Sequence, residues 1–113
     1  MLSIISSPIG NLKDISYRSI EALKCASIVY CEDTRVTKKL LNHYSIKDKL
    51  LLPYNDHNEK KVLKEIIEKL EHDENIILIS DAGTPLISDP GFPLIRECIK
   101  KGFDFVVLPG PTA

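Results

Sequence analysis

Four consecutive apolar residues, Ile76-Ile77-Leu78-Ile79, limit what this chain can fold into more than any other stretch. A strand with one face in water alternates apolar and polar residues, and this run does not, so it fits a strand covered on both faces. Strands of that kind belong to parallel sheets, whose crossovers lay helices above and below. The run breaks at once into Ser80-Asp-Ala-Gly-Thr-Pro-Leu-Ile-Ser-Asp-Pro-Gly91. There Gly83 and Pro85 fix turn geometry, and Asp89-Pro90 reads as a helix cap followed by a first-turn proline. The segment is more elaborate than a connector requires.

The rest of the chain follows the same rhythm. Met1 to Ser6 is a β-favouring segment closed by Ser7-Pro8-Ile9-Gly10-Asn11. A cap at Asp14 or Ser16 opens a helix to residue 25, with Tyr17, Ile20 and Leu23 at inward spacing. Ser27 to Cys31 is a second strand, and Thr34 is the expected cap of a helix whose stripe is Val36, Leu40, Leu41 and Tyr44. Leu50 to Leu52 forms a third strand closed by Pro53, and the polar loop beyond it spaces Asp56 and Glu59 as a capping box. Val62, Leu63, Ile66, Ile67 and Leu70 mark the third helix, and Leu94, Ile95, Cys98 and Ile99 the fourth, which Gly102 should end. Phe103 to Leu108 completes five strands. The expected fold class is α/β, a three-layer α/β/α arrangement on a mainly parallel five-stranded sheet.

At 113 residues the chain has room for one domain. No apolar run is long enough to span a bilayer, and the N-terminus lacks the features of a signal peptide, so the expected place is the cytoplasm, with no membrane partner. Cys25, Cys31 and Cys98 show no C-x-x-C spacing, which argues against a disulfide framework or a zinc site and for small core residues. A net charge of -1 makes no global claim on nucleic acid, so any RNA contact needs a local patch.

In open parallel sheets ligands bind beyond the carboxyl ends of the strands. Those ends carry SSPIGN, CEDTR, PYNDHN, SDAGTP and PGPT, whereas returns such as Ser45 to Lys49 and Glu71 to Glu74 are plain charged turns. Neither G-x-G-x-x-G nor G-x-x-x-x-G-K-[ST] occurs, which removes the usual dinucleotide and P-loop cradles. Glu32, Asp33, Asp81 and Asp89 could converge on magnesium, but Asp33 and Asp89 also suit helix caps, and no metal is assigned. His57 could serve as a general base near neutral pH or lie exposed at the start of the third helix. Arg35 could take a phosphate in a bidentate grip or pair with Glu32 or Asp33. Lys60, Lys61 and Lys64 read as a solvated face.

Taken together, SPIGNLKDIS (Ser7 to Ser16), CEDTR (Cys31 to Arg35), DHNE (Asp56 to Glu59), SDAGTPLISDPG (Ser80 to Gly91) and LPGPTA (Leu108 to Ala113) resemble the ribosomal RNA small-subunit methyltransferase I family, within the tetrapyrrole methylase superfamily. Five motifs in matching order make the resemblance specific, and it covers essentially the whole chain. It differs in Ser7 and Thr112, where the family carries threonine and serine, changes that keep a hydroxyl.

The resemblance implies an S-adenosylmethionine-dependent enzyme that methylates the 2′-hydroxyl of a cytidine in small-subunit ribosomal RNA. It implies a homodimer of two-domain chains with the donor in the cleft between domains. This chain matches the N-terminal domain alone, so the expectation is that the C-terminal domain is absent and the fragment is inactive by itself. Donor contacts fall on Ile9, on Gly83, Thr84 and Ile87, and on Thr112 and Ala113. Asp33, Asn11, Arg35 and His57 are left for the ribose and its phosphates. Methyl transfer from a sulfonium to a hydroxyl is an in-line displacement, so alignment can supply much of the rate. The competing readings are a related methylase acting on a tetrapyrrole or a protein, and a non-catalytic or split-remnant α/β module.

Overall fold

The structure, a computed structural model, describes residues 1–6, 15–55, 57–80 and 91–108, with backbone alone at 80, 91 and 92. Strands and helices alternate: β1 (Leu2–Ser6), α1 (Tyr17–Cys25), β2 (Ile28–Cys31), α2 (Thr34–His43), β3 (Leu50–Pro53), α3 (Glu59–Glu71), β4 (Ile76–Ser80), α4 (Gly91–Lys101) and β5 (Phe105–Leu108). All pairings are parallel, in the order β3-β2-β4-β1-β5. The apolar run that anchored the sequence argument is therefore the central strand. Ile76, Ile77, Leu78 and Ile79 are all buried, each stabilising the fold by roughly 1.5–3 kcal/mol relative to exposure.

Alternation along the strands separates two cores. Leu2, Ile4, Tyr30, Ile76 and Leu78 pack with Ile66 and Leu70 of α3 and Leu94 and Cys98 of α4. Ile5, Val29, Cys31, Ile77 and Ile79 pack on the opposite face with Leu23 of α1 and Leu40 and Leu41 of α2. The three layers expected from the sequence are present.

Several inward assignments change. Tyr17 is 78% exposed, and Ser19 takes the buried place in α1. Ser19 can do so because its hydroxyl accepts from Ser16 Oγ at 2.8 Å while its N–H donates to the same Ser16 oxygen, the N-cap of the helix. In α2 Val36 is exposed and Thr37 buried, and in α4 Ile99 is 66% exposed beside buried Ile95 and Cys98. Cys25 is exposed, unlike buried Cys31 and Cys98.

The turns from helix to strand are closed by backbone. After α4, Gly102 at φ 75° lets its own N–H reach Ile99 O while the N–H of Phe103 reaches Cys98 O, a Schellman ending. Ser45 (φ 55°) and Asp73 (φ 59°) end α2 and α3 in the same way, with Ile46 N–H on Leu41 O and Glu74 N–H on Lys69 O. Helix α1 ends differently: Lys49 reaches across from the approach to β3, and its ammonium donates to the carbonyls of Lys24, at 2.7 Å, and Ala26. A cation on the last carbonyls also complements the helix dipole.

Candidate functional site

Register aligns the carboxyl ends of the strands. Ser6 stands level with Ser80, and Cys31 with both Ile79 and Pro53. The central strand β4 leads to α4 on one face, whereas its neighbours β1 and β2 lead to α1 and α2 on the other. Connections that part to opposite faces leave a crevice at the strand ends, the usual ligand position in such sheets.

Two adjacent turns on this edge are described. In the first, Asp33 is the N-cap of α2, one of the two roles open to it in the sequence, and Thr34, the other expected cap, is the first helical residue. Its Oδ1 accepts the Arg35 backbone N–H at 2.9 Å and Arg35 Nε at 3.4 Å, and its Oδ2 accepts Arg35 Nη2 at 3.4 Å. The Arg35 side-chain hydrogen bonds, then the backbone one, hold the Asp33 carboxyl below the usual carboxylate range. An ionised carboxylate committed to a cap and a guanidinium is a poor proton acceptor but a good positioner. It steers Arg35, whose side chain remains 88% exposed.

The second turn follows β3. Tyr54 N–H donates to Cys31 O at 2.9 Å, which extends the strand ladder by one residue. Asn55 Oδ1 then accepts the N–H groups of His57 at 2.9 Å and Asn58 at 3.2 Å. Asn58 answers with Oδ1 on the Asn55 N–H at 2.9 Å and Nδ2 on Pro53 O at 3.0 Å. Asn58 is the N-cap of α3 and makes no side-chain cap bond, so the reciprocal pair holds this turn; Asp56, expected in a capping box with Glu59, lies outside the described residues. The pair pins the backbone beneath His57, which is exposed.

Tyr54 was not singled out by sequence reasoning. It is 0% exposed and packs in the α3–α4 core, yet its hydroxyl has no hydrogen-bond partner among the described residues. Burial, and after it the Glu59 carboxylate, push the phenol well above its ordinary value, so the hydroxyl keeps its proton and stays a donor. The signal available in sequence was an aromatic residue directly after a strand-closing proline. Tyr30 on β2 also lacks a partner by distance and angle; burial raises its pKa, while Lys69, 6.0 Å from the ring centroid, pulls it down.

Of the residues assigned from the sequence, Asp33, Arg35 and His57 stand on two neighbouring turns of one edge. Asn11, Ile9, Gly83, Thr84, Ile87, Thr112 and Ala113 lie outside the described residues, as do Asp56, Asp81 and Asp89. No group of three or more metal-ligating side chains occurs among the described residues.

Residues 1–113 match the family of tetrapyrrole (corrin/porphyrin) methylases. The chain belongs to that family. Methylases of this kind use S-adenosylmethionine as the methyl donor. Among curated relatives, it is 53% identical over 110 residues to the ribosomal RNA small subunit methyltransferase I of Mycoplasmopsis pulmonis (strain UAB CTIP), which covers 97% of this chain and 49% of the relative. It is 46% identical to the protein of the same name from Escherichia coli O157:H7, over 99% of this chain and 39% of the relative. The chain thus spans about half or less of the length of the curated relatives it matches. Among solved structures, a diphthine synthase aligns with a TM-score of 0.77 at 17% identity, over 98% of this chain and 44% of the other. The uroporphyrin-III-C-methyltransferase of Thermus thermophilus aligns at 0.75 and 15%, over 98% and 47%. At those identities the likeness establishes the fold alone, and it agrees with the parallel three-layer architecture.

Proposed function

We propose that the chain forms part of an S-adenosylmethionine-dependent methyltransferase acting on a cytidine 2′-hydroxyl of small-subunit ribosomal RNA. The carrying observation is the contrast in identity: 46% and 53% to proteins named ribosomal RNA small subunit methyltransferase I, against 15% and 17% to a porphyrin methylase and a diphthine synthase of the same fold. That contrast favours RNA over a tetrapyrrole or protein substrate. The chemistry of the described edge agrees with it. Arg35, oriented by Asp33, presents a planar cation suited to phosphate, and His57 stands on a pinned turn as an exposed titratable group.

The crevice between β1, β4 and β2 is the place for a nucleoside-like donor, and Ile9, Gly83, Thr84, Ile87, Thr112 and Ala113 are the residues assigned to hold it. When bound, the donor supplies an electrophilic methyl group. The chain's own work is to keep the ribose oxygen aligned, hold the flanking phosphates through Arg35 and Asn11, and offer His57 for the departing proton. The curated relatives carry about as much chain again, and the second wall of the donor cleft is assigned to that portion, in a cytoplasmic homodimer. This chain by itself is then expected to transfer no methyl.

The test is transfer of labelled methyl from S-adenosylmethionine to small-subunit RNA by the protein at its full natural length, with the product nucleoside identified by mass spectrometry. A 2′-O-methylcytidine is the expected product. Transfer to another nucleoside or to the base overturns the assignment. Arg35→Ala is expected to reduce transfer at least tenfold with donor affinity within twofold of wild type.

A further inference from the structure

Between the C-terminal end of α2 and edge strand β3 lies a groove of about 440 Å³. Its lining includes Lys38, Asn42, Lys47 and Lys49, with Asp48 as the carboxylate among them and Leu51 as part of an apolar floor. Residues 32 to 51 carry five cations, Arg35, Lys38, Lys39, Lys47 and Lys49, against Glu32, Asp33 and Asp48, with Asp33 paired to Arg35, in a chain whose net charge is -1. The excess is local.

Its layout is directional. Arg35, Lys38, Lys39 and Asn42 fall at i, i+3, i+4 and i+7, which places them along one side of α2. Helix α2 begins at the carboxyl edge, where Arg35 stands, and its ten residues span about 15 Å toward the groove. Lys38, Lys39 and Lys47 are exposed and form no ion pair among the described residues. Lys49 is committed to the end of α1, so it shapes the wall rather than supplying a free charge. A second groove, between α3 and α4 at about 480 Å³, sets Lys60, Lys64 and Lys101 against two carboxylates, Glu68 and Glu97.

We infer that this stripe and groove form a track for the phosphate backbone of RNA, running from the carboxyl-edge site along α2 to the β3 edge. The inference rests on the proposed function and adds where the strand flanking the reacting nucleotide is held. Phosphate contacts of this sort give affinity and register without reading sequence.

The experiment uses the protein at its full natural length and a fluorescent small-subunit RNA fragment, with affinity measured across a salt series. Lys38→Gln, Lys39→Gln and Lys47→Gln are combined, leaving Arg35 and Lys49 in place. The combined variant is expected to bind about tenfold more weakly and to lose about two to three from the slope of log affinity against log salt. Its melting midpoint and donor affinity should match wild type. Lys60→Gln, Lys64→Gln and Lys101→Gln together should leave binding within twofold. A wild-type protein that binds no small-subunit RNA overturns both the track and the proposed function. One that methylates the RNA while the triple variant keeps its affinity and slope overturns the track alone. Binding of poly-glutamate as tight as that of RNA also overturns it, since phosphate would then not be what the groove selects.

Discussion

The helix-to-strand turns at Ser45, Asp73 and Gly102 satisfy their last carbonyls with backbone N–H groups, whereas the strand-to-helix turns after Cys31 and Pro53 rely on side chains. At the amino-terminal end of the sheet these three turns rest on local backbone, and the end of α1, held by Lys49, is the exception. At the other end Asp33, Asn55 and Asn58 each make more than one bond, and Tyr54 keeps a buried hydroxyl with none among the described residues. The amino end closes on backbone, while the carboxyl end fixes polar side chains on two neighbouring turns.

Lys49→Met should produce the largest loss, since it is the exception at the amino end, a side chain serving as the cap of α1. Two charge-assisted bonds to carbonyls disappear, and chemical denaturation should show a loss of about 1–2 kcal/mol. A change under a few tenths would mean that water replaces the ammonium at no cost. Asp33 comes next. Asp33→Ala should lower the melting midpoint by less than Lys49→Met, through loss of the cap. Asp33→Asn, which still caps, isolates the charge. Because the folded carboxyl titrates below its ordinary value of 3.8, its stabilisation is complete above about pH 4 and is lost as pH falls through the lower, folded value. The stability gap between wild type and Asp33→Asn should therefore close on acidification.

Tyr54→Phe points the other way. Removing an unpartnered buried hydroxyl should leave stability unchanged or raise it by up to about 1 kcal/mol. Loss of methyl transfer by the protein at its full natural length, together with that gain, would show that the hydroxyl serves the site. A clear destabilisation would mean that it has a partner within the fold. Ser45→Gly is the smallest effect: relieving a left-handed serine should add about 0.5 kcal/mol, and the same change at Asp73 somewhat less, because aspartate tolerates that conformation better. Calorimetric melting resolves both.

Much of the architecture was legible because apolar periodicity is set by the same burial that builds the sheet. Ile76 to Ile79 announced a two-faced strand, and Gly102 announced the end of α4. The errors share a cause. Tyr17, Val36 and Ile99 have the right chemistry and spacing for a core, but helix orientation is decided by contacts with the sheet, which put Ser19 and Thr37 inward instead. Ser19 is readable only once its bond to Ser16 is seen. On the edge, Asp33 was readable as a helix cap, while the reciprocal bonding of Asn55 and Asn58 depends on a backbone path that no spacing rule encodes. Strand order was likewise hidden, because right-handed crossovers permit several arrangements of five parallel strands.

The position of β4 also bears on how the protein comes into being at the ribosome. Leu2 pairs with Ile76 and Phe105, so β1 has no strand partner until more than seventy residues have followed it out. Strands β2 and β3 can pair early, but the centre of the sheet closes only by a long-range contact, which is slow by its entropy. For much of its synthesis the chain must carry an unpaired Leu2-Ser-Ile-Ile-Ser6 edge, so interrupted translation before Ile76 would release a fragment lacking the strand that joins its two halves.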